Sequence, residues 1–151
     1  MRRSRAGDAL TDLVLRVFAL NGRLLAVAED ITEGTPLTAA RWQVIGAVLR
    51  GPLPVAGIAR SMGVARQSVQ RLANEMVEEG LCTWQDNPQH RRAKLLVPTQ
   101  KGWAAIERIR PIQIAFANRV SAKIGEKALR EAVATIDALL ETLASPAGKV
   151  R

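Results

Sequence analysis

With one cysteine, one histidine and no tyrosine in 151 residues, the chain is short of the side chains that most covalent and metal chemistry requires. The lone Cys82 rules out an intrachain disulfide and leaves an intermolecular disulfide or a reactive thiol as its redox options. A sensing thiolate wants exposure and nearby positive charge, whereas Cys82 falls in a predicted strand, which favours plain packing. His90 has no second histidine and no cysteine cluster at zinc spacing, so neither a metal nor another cofactor is expected. There is no glycine-rich phosphate loop, and no histidine remains for a triad if His90 serves the loop on which it lies. The carboxylate pairs Glu29-Asp30 and Glu78-Glu79 are adjacent on helices, point to different sides and read as solvated surface. The expectation is a protein that is not an enzyme. Long apolar runs are missing too: none approaches the ~20 residues of a membrane span. The basic Met1-Arg-Arg-Ser-Arg5 start runs into Asp8 and Asp12 rather than into a signal core, which points to the cytoplasm.

What the chain does have is positive charge. Its 22 Lys and Arg against 14 Asp and Glu leave a net charge of +8, which implies a polyanionic partner, with a membrane surface as the competitor. Hydrophobic residues make up 48% of the sequence, enough for one packed domain.

The choice between polyanions comes from Ile58-Ala-Arg-Ser-Met-Gly-Val-Ala-Arg-Gln-Ser-Val-Gln-Arg-Leu72, which has the spacing of a helix-turn-helix. Ala59 is the small residue at the helix crossing, Gly63 the permissive turn residue and Val69 the core residue. Ile58, Met62 and Val64 are predicted to bury inward. Val69, Leu72, Ala73, Met76 and Val77 form the apolar stripe of the second helix. Its opposite face carries Gln67, Gln70, Arg71 and Asn74, amide and guanidinium groups able to pair bidentately with adenine or guanine edges in a major groove. Many amphipathic helices have such a face, and the chain beyond this one adds the distinguishing signal. Glu79-Gly80 offers a helix stop, and Leu81–Gln85 reads as a strand. Asp86–His90 is turn-forming, Arg91-Arg92 is a basic tip, and Ala93–Val97 returns as the partner strand until Pro98 ends it. A helix-turn-helix followed by a basic hairpin is a winged helix. Gln67, Gln70 and Arg71 are the candidates for base contacts, and Arg66 and Ser68 for bases or nearby phosphates. Arg91, Arg92 and Lys94 are the candidates for the wing's backbone or minor-groove contact.

The fold class predicted is mainly α with a small β-hairpin wing: a winged helix-turn-helix at residues 36–98, flanked by helical dimerisation regions at residues 8–30 and 100–145. The first helix has a stripe of Leu10, Leu13, Val14, Val17, Phe18, Leu24 and Leu25 and ends before Glu33-Gly-Thr-Pro36. Thr38 looks like the cap of the next, which runs to about Arg50, and Pro54 suits the first turn of the short helix that opens the motif. After the wing, Trp103, Ile106, Ile109, Phe116, Val120 and Ile124 predict a long helix that Pro111 should kink or interrupt. Leu129, Ala132, Val133, Ile136, Leu139, Leu140 and Leu143 give the last helix a stripe too apolar for a lone tail against water. Intramolecular packing is one outlet for it; a homodimer core is the favoured one. A twofold dimer would present two recognition helices to half-sites about one helical turn, ~10 bp, apart. Trp42 and Phe18 read as core residues.

In order along the chain, Leu37-Thr38 before Arg41-Trp42, the Ile58–Leu72 motif, Glu79-Gly80-Leu81, Asn87-Pro-Gln-His-Arg-Arg-Ala-Lys-Leu95 and Thr99-Gln-Lys-Gly102 resemble the MarR family of bacterial transcriptional regulators. The likeness spans Asp8 to Leu143. It implies a homodimeric repressor of double-stranded DNA, switched by a small, often aromatic or lipophilic, effector bound between the dimer helices and the reading head. Two positions depart from the family pattern. Many members carry an acidic residue two positions before the wing arginine that corresponds to Arg92, and here it is His90. The residue opening the recognition helix, usually Ser or Thr, is Ala65, which forgoes a cap worth about 0.5–2 kcal/mol. The alternative is a winged helix that coats DNA nonspecifically, without effector control.

Overall fold

The computed structural model describes residues 2–150. In order the elements are α1 (Arg5–Thr32), α2 (Ala39–Ala47), β1 (Leu53–Pro54), α3 (Val55–Met62), α4 (Arg66–Glu78), β2 (Cys82–Gln85), β3 (Leu95–Pro98), α5 (Gln100–Ile124), α6 (Glu126–Ala144) and a 3-10 turn at Pro146–Gly148. The chain divides into two compact units, one ending at Arg110 and the other starting at Pro111. No helix among the described residues is long and apolar enough to cross a membrane.

In the first unit, the Ser4 side chain accepts from Gly7 N–H to open α1, and Thr38 accepts from Arg41 N–H at 3.2 Å to open α2, the role its sequence position predicts. The second helix stops at Ala47 rather than near Arg50. Val48 and Leu49 donate to the carbonyls of Ile45 and Gly46, three residues back, so the chain has tightened into a turn before Gly51-Pro52 is reached. Pro54 lies at the N-cap of α3, not in its first turn, because Leu53 and Pro54 are taken up by a short edge strand. That strand was not expected from sequence. It makes the sheet three-stranded and antiparallel in the order β1-β3-β2, with Leu53 opposite Leu96 and Trp84 opposite Leu96 on the other side. Pro54, which lacks a donor, is tolerated there because β1 is an edge.

Gly63 takes the left-handed conformation (φ 66°), and the N–H groups of Val64 and Gly63 return to the carbonyls of Ala59 and Arg60. This is the Schellman ending of a helix, and glycine is the residue that adopts it without strain. The turn uses the Val64 backbone but leaves its side chain 44% exposed, against the expectation that it buries. Ile58, Val44, Ile45, Val69, Ala73, Met76, Leu81 and Leu96 have no exposure and form the core with Ala59, Ile106 and Ile109.

Thr99 joins the wing to α5. Its N–H donates to Leu81 O at 3.0 Å, its hydroxyl donates to Gly80 O, and the same oxygen accepts from Gly102 N–H at 3.2 Å. One side chain therefore caps α5 and anchors it to the turn after α4. Gly102 permits the close approach, since a methyl group there would overlap the Leu81 carbonyl oxygen and press on Ile45.

Helix α5 runs through Pro111 without the interruption that was one of the two expected outcomes. Proline removes one donor, the one that would serve the Glu107 carbonyl, and the turns on either side sustain the helix. In the second unit Gly125 (φ 94°) separates α5 from α6. No residue of α6 is buried, and Val133, Leu140 and Leu143 are each more than half exposed. On α1, Phe18 is 69% exposed, so it is not the core residue its spacing predicts.

Replacing Gly102 with alanine is expected to cost about 1–3 kcal/mol through overpacking against the Leu81 carbonyl. Thermal unfolding of Gly102→Ala checks this; an unchanged midpoint would contradict the tight junction.

Candidate nucleic-acid interface

The recognition surface starts with the burial of one side of α4. Val69, Ala73 and Met76 are fully enclosed, which turns Gln67, Gln70, Arg71 and Asn74 outward, and all four are exposed. Ala65 opens the helix in an extended conformation with no side-chain cap, as its methyl group requires. The outward side chains are not all free. Gln70 Nε2 donates to Asn74 Oδ1 at 3.0 Å, and Arg71 Nη1 is 2.9 Å from Glu75 Oε1.

Glu75 also faces Arg41, whose guanidinium lies 3.6 Å from its second oxygen. Arg41 makes a two-pronged pair with Glu79 at 2.8 Å on each side and donates to Pro36 O at 3.0 Å. Its side chain is only 16% exposed. The hydrogen bond to Glu79 raises the Arg41 pKa, and the same bond holds the Glu79 carboxyl below its usual range. This clamp ties the start of α2 to the last turn of α4. It bridges 38 positions of sequence, and no local pattern announces it.

The wing is a nine-residue loop between β2 and β3 that returns later than predicted. The strand starts at Leu95 rather than Ala93 because the loop's hydrogen bonds go to Asn87 and to turns instead of to a ladder. Asn87 Nδ2 donates to Ala93 O at 2.9 Å, Asn87 Oδ1 accepts from Gln89 N–H at 3.0 Å, and Ala93 N–H donates to His90 O at 3.2 Å. Lys94 pairs with Asp86 at 2.9 Å, which lowers the Asp86 carboxyl pKa. His90, Arg91 and Arg92 are exposed, and neither arginine has an ion-pair partner among the described residues.

Between α4 and the wing runs a groove of about 600 Å³. Arg66, Gln67 and Gln70 line it from the helix and Arg92 and Lys94 from the wing, so five of the eight candidate residues meet at one place. Ser68, Arg71 and Arg91 do not line it: Ser68 and Arg91 are exposed elsewhere, and Arg71 is held by Glu75. Asn74, noted on the polar face but not among the candidates, joins the lining. So do Trp84 and the Pro54–Ala56 entry to α3, which strand and helix patterns do not flag. No carboxylate among the described residues lines the groove, while Arg66 and Arg92 bring two unpaired positive charges to it and Lys94 a third that is paired with Asp86. Such a surface suits a phosphate backbone with bases beside it. A larger hollow of about 860 Å³ in the second unit, between α5 and α6, has Glu126 and Asp137 in its wall and lacks that bias.

Cys82 is 2% exposed on β2, and burial pushes its thiol up to about 11. It is a packing residue, not a thiolate.

Residues 35–93 match the sequence profile of the MarR family. An uncharacterized protein of Mycobacterium tuberculosis is 38% identical to this chain over 132 residues, covering 87% of it and 90% of its own length. Among solved structures, a MarR family regulator from Neisseria meningitidis superposes with a TM-score of 0.75 at 23% identity, covering 90% of this chain and 94% of that one. CouR from Rhodococcus jostii, solved with bound p-coumaroyl-CoA, does so with a TM-score of 0.71 at 21% identity, covering 89% and 93%.

Two outcomes are expected from the electrostatics. The Arg41–Glu79 pair adds stability that is complete above the unfolded carboxylate pKa near 4.5 and is lost as pH falls through the lower folded value. Thermal unfolding from about pH 6 to about pH 3 should therefore show a shallower loss for Glu79→Gln than for the parent; parallel curves would mean the pair contributes nothing. The native protein near neutral pH should leave Cys82 unmodified by a thiol reagent and react only when denatured. Prompt native reaction would show that the thiol is accessible.

Proposed function

The chain belongs to the MarR family, and we propose that it is a cytoplasmic, sequence-specific transcription regulator that binds double-stranded DNA as a homodimer on a pseudo-palindromic operator. The observation that carries this is the single groove flanked by Arg66, Gln67 and Gln70 on one side and Arg92 and Lys94 on the other. In the proposed complex α4 enters the major groove, where Gln67, Gln70 and, once released from Glu75, Arg71 contact base edges. Arg66 and Ser68 reach bases or the adjoining phosphates. The wing brings Arg91, Arg92 and Lys94 to the backbone or the minor groove.

The homodimer is supported by apolar surface that each part of a lone chain leaves to water. Leu15, Phe18 and Leu20 on α1 and Val133, Leu140 and Leu143 on α6 are all more than half exposed. Faces of this size on a soluble protein mark contact surfaces. Two reading heads at a set spacing would match half-sites about one helical turn, ~10 bp, apart, and bound across a promoter they would repress by occlusion. A small aromatic or lipophilic effector completes the proposal: CouR is a relative in fold that holds p-coumaroyl-CoA. A ligand that favours one spacing of the heads lowers or raises DNA affinity by its differential affinity for the two states.

The test is equilibrium binding to the protein's own upstream intergenic duplex and to a scrambled duplex across a salt series, with the mass of each complex measured. Binding that resists scrambled competitor, with two chains per site, is expected. Arg92→Ala should weaken binding to every duplex alike and reduce the salt slope by about 1, whereas Gln67→Ala should change sequence preference. Equal competition by scrambled DNA would replace this reading with that of an architectural DNA-coating protein.

A further inference from the structure

The groove side of α4 holds more amide than charge: Gln67, Gln70 and Asn74 against Arg66. Arg71 is paired with Glu75, which also faces Arg41, and it does not line the groove, so its guanidinium must leave that pair to reach a base. The three carboxamides are not equivalent, because Gln70 Nε2 donates to Asn74 Oδ1 at 3.0 Å and Gln67 makes no such bond among the described residues.

A carboxamide has two N–H donors on one atom and an acceptor oxygen on the other. With one donor engaged by Asn74, Gln70 keeps one N–H and the Oε1 acceptor. That donor-acceptor edge complements adenine, which offers an acceptor at N7 and a donor at N6 in the major groove. Guanine offers acceptors at both N7 and O6, and Gln70 has no second donor left to serve it. The bond to Asn74 also opposes the 180° flip that would exchange nitrogen and oxygen, and it restricts the side chain before DNA arrives, which lowers the ordering cost of binding.

We propose that Asn74 is a positioning residue that sets Gln70 to read adenine, so that each operator half-site carries an A·T pair at the base that Gln70 faces. This rests on the reading of the chain as a base-reading regulator.

The test is selection from a random duplex pool with the full-length protein and with Gln70→Ala, Asn74→Ala and Asn74→Asp, followed by sequencing. The position that Gln70→Ala flattens should prefer adenine in the parent selection by roughly tenfold, the scale of one bidentate base contact. Asn74→Ala should cut that preference to about twofold or less while leaving other positions intact, because the orienting acceptor is gone. Asn74→Asp retains the acceptor oxygen and should restore the adenine preference, although its negative charge weakens binding to all sequences. A purely structural role for Asn74 would lower every position together and not be rescued by aspartate. The proposal is overturned if Gln70→Ala flattens no position, if the position it flattens is not adenine, if Asn74→Ala leaves that preference whole, or if Asn74→Asp behaves as alanine does. A parent selection with no enriched motif would overturn the base-reading function itself, and this inference with it.

Discussion

The burial of Val69, Ala73 and Met76 against the core is the constraint on which the outward polar surface of α4 depends. Fully burying a valine or methionine side chain stabilises by about 1.5–3 kcal/mol, whereas an exposed pair such as Arg71–Glu75 contributes roughly 0.3–0.5 kcal/mol. Packing therefore decides which face of α4 looks outward, and the polar contacts only adjust what that face presents. Gly63 and Gly80, both at positive φ, stop α3 and release the chain from α4, so the reading helix has a defined start and end. The Arg41 clamp adds a lateral restraint on its last turn. Thr99 and Gly102 then seat α5 directly behind the same turn.

The terminal helices pose the opposite problem. Much of α1 and all of α6 lie at the surface although both carry large apolar side chains. Single exposed leucines need no explanation, but stripes of them along whole helices do. In the proposed homodimer these stripes become the subunit contact. The separation of the two reading heads would then depend on helices that do not touch DNA, and that dependence would be the mechanical basis for the proposed control by a small ligand.

Much of the reading head was legible in the sequence, because its demands are local. A small Ala59, a left-handed Gly63 and an apolar stripe at helical spacing each answer one steric requirement, and the structure places them as expected. The cap at Thr38 and the stop at Gly80 were legible for the same reason. What was missed depends on partners far away in sequence or on very short elements. Strand β1 is two residues long and exists only because β3 pairs with it. Arg41 meets Glu79 across 38 positions. The late return of the wing strand reflects Asn87 taking the Ala93 carbonyl, a choice that turn composition does not reveal. Phe18 and Val64 were misplaced because apolar spacing says that a side chain seeks cover without saying whose. The candidate site was legible residue by residue but not as a groove, since the meeting of Arg66 with Arg92, and the place of Trp84 between helix and wing, come from the tertiary fold.

Hydroxyl-radical footprinting of the protein on its own upstream DNA tests the central claim most directly, because the proposal is a geometric one: two reading helices, one from each subunit, meeting one face of the duplex. The account predicts two symmetric windows of protection about 10 bp apart, with the same register on every molecule. Uniform protection without register, spreading as protein is added, would contradict it.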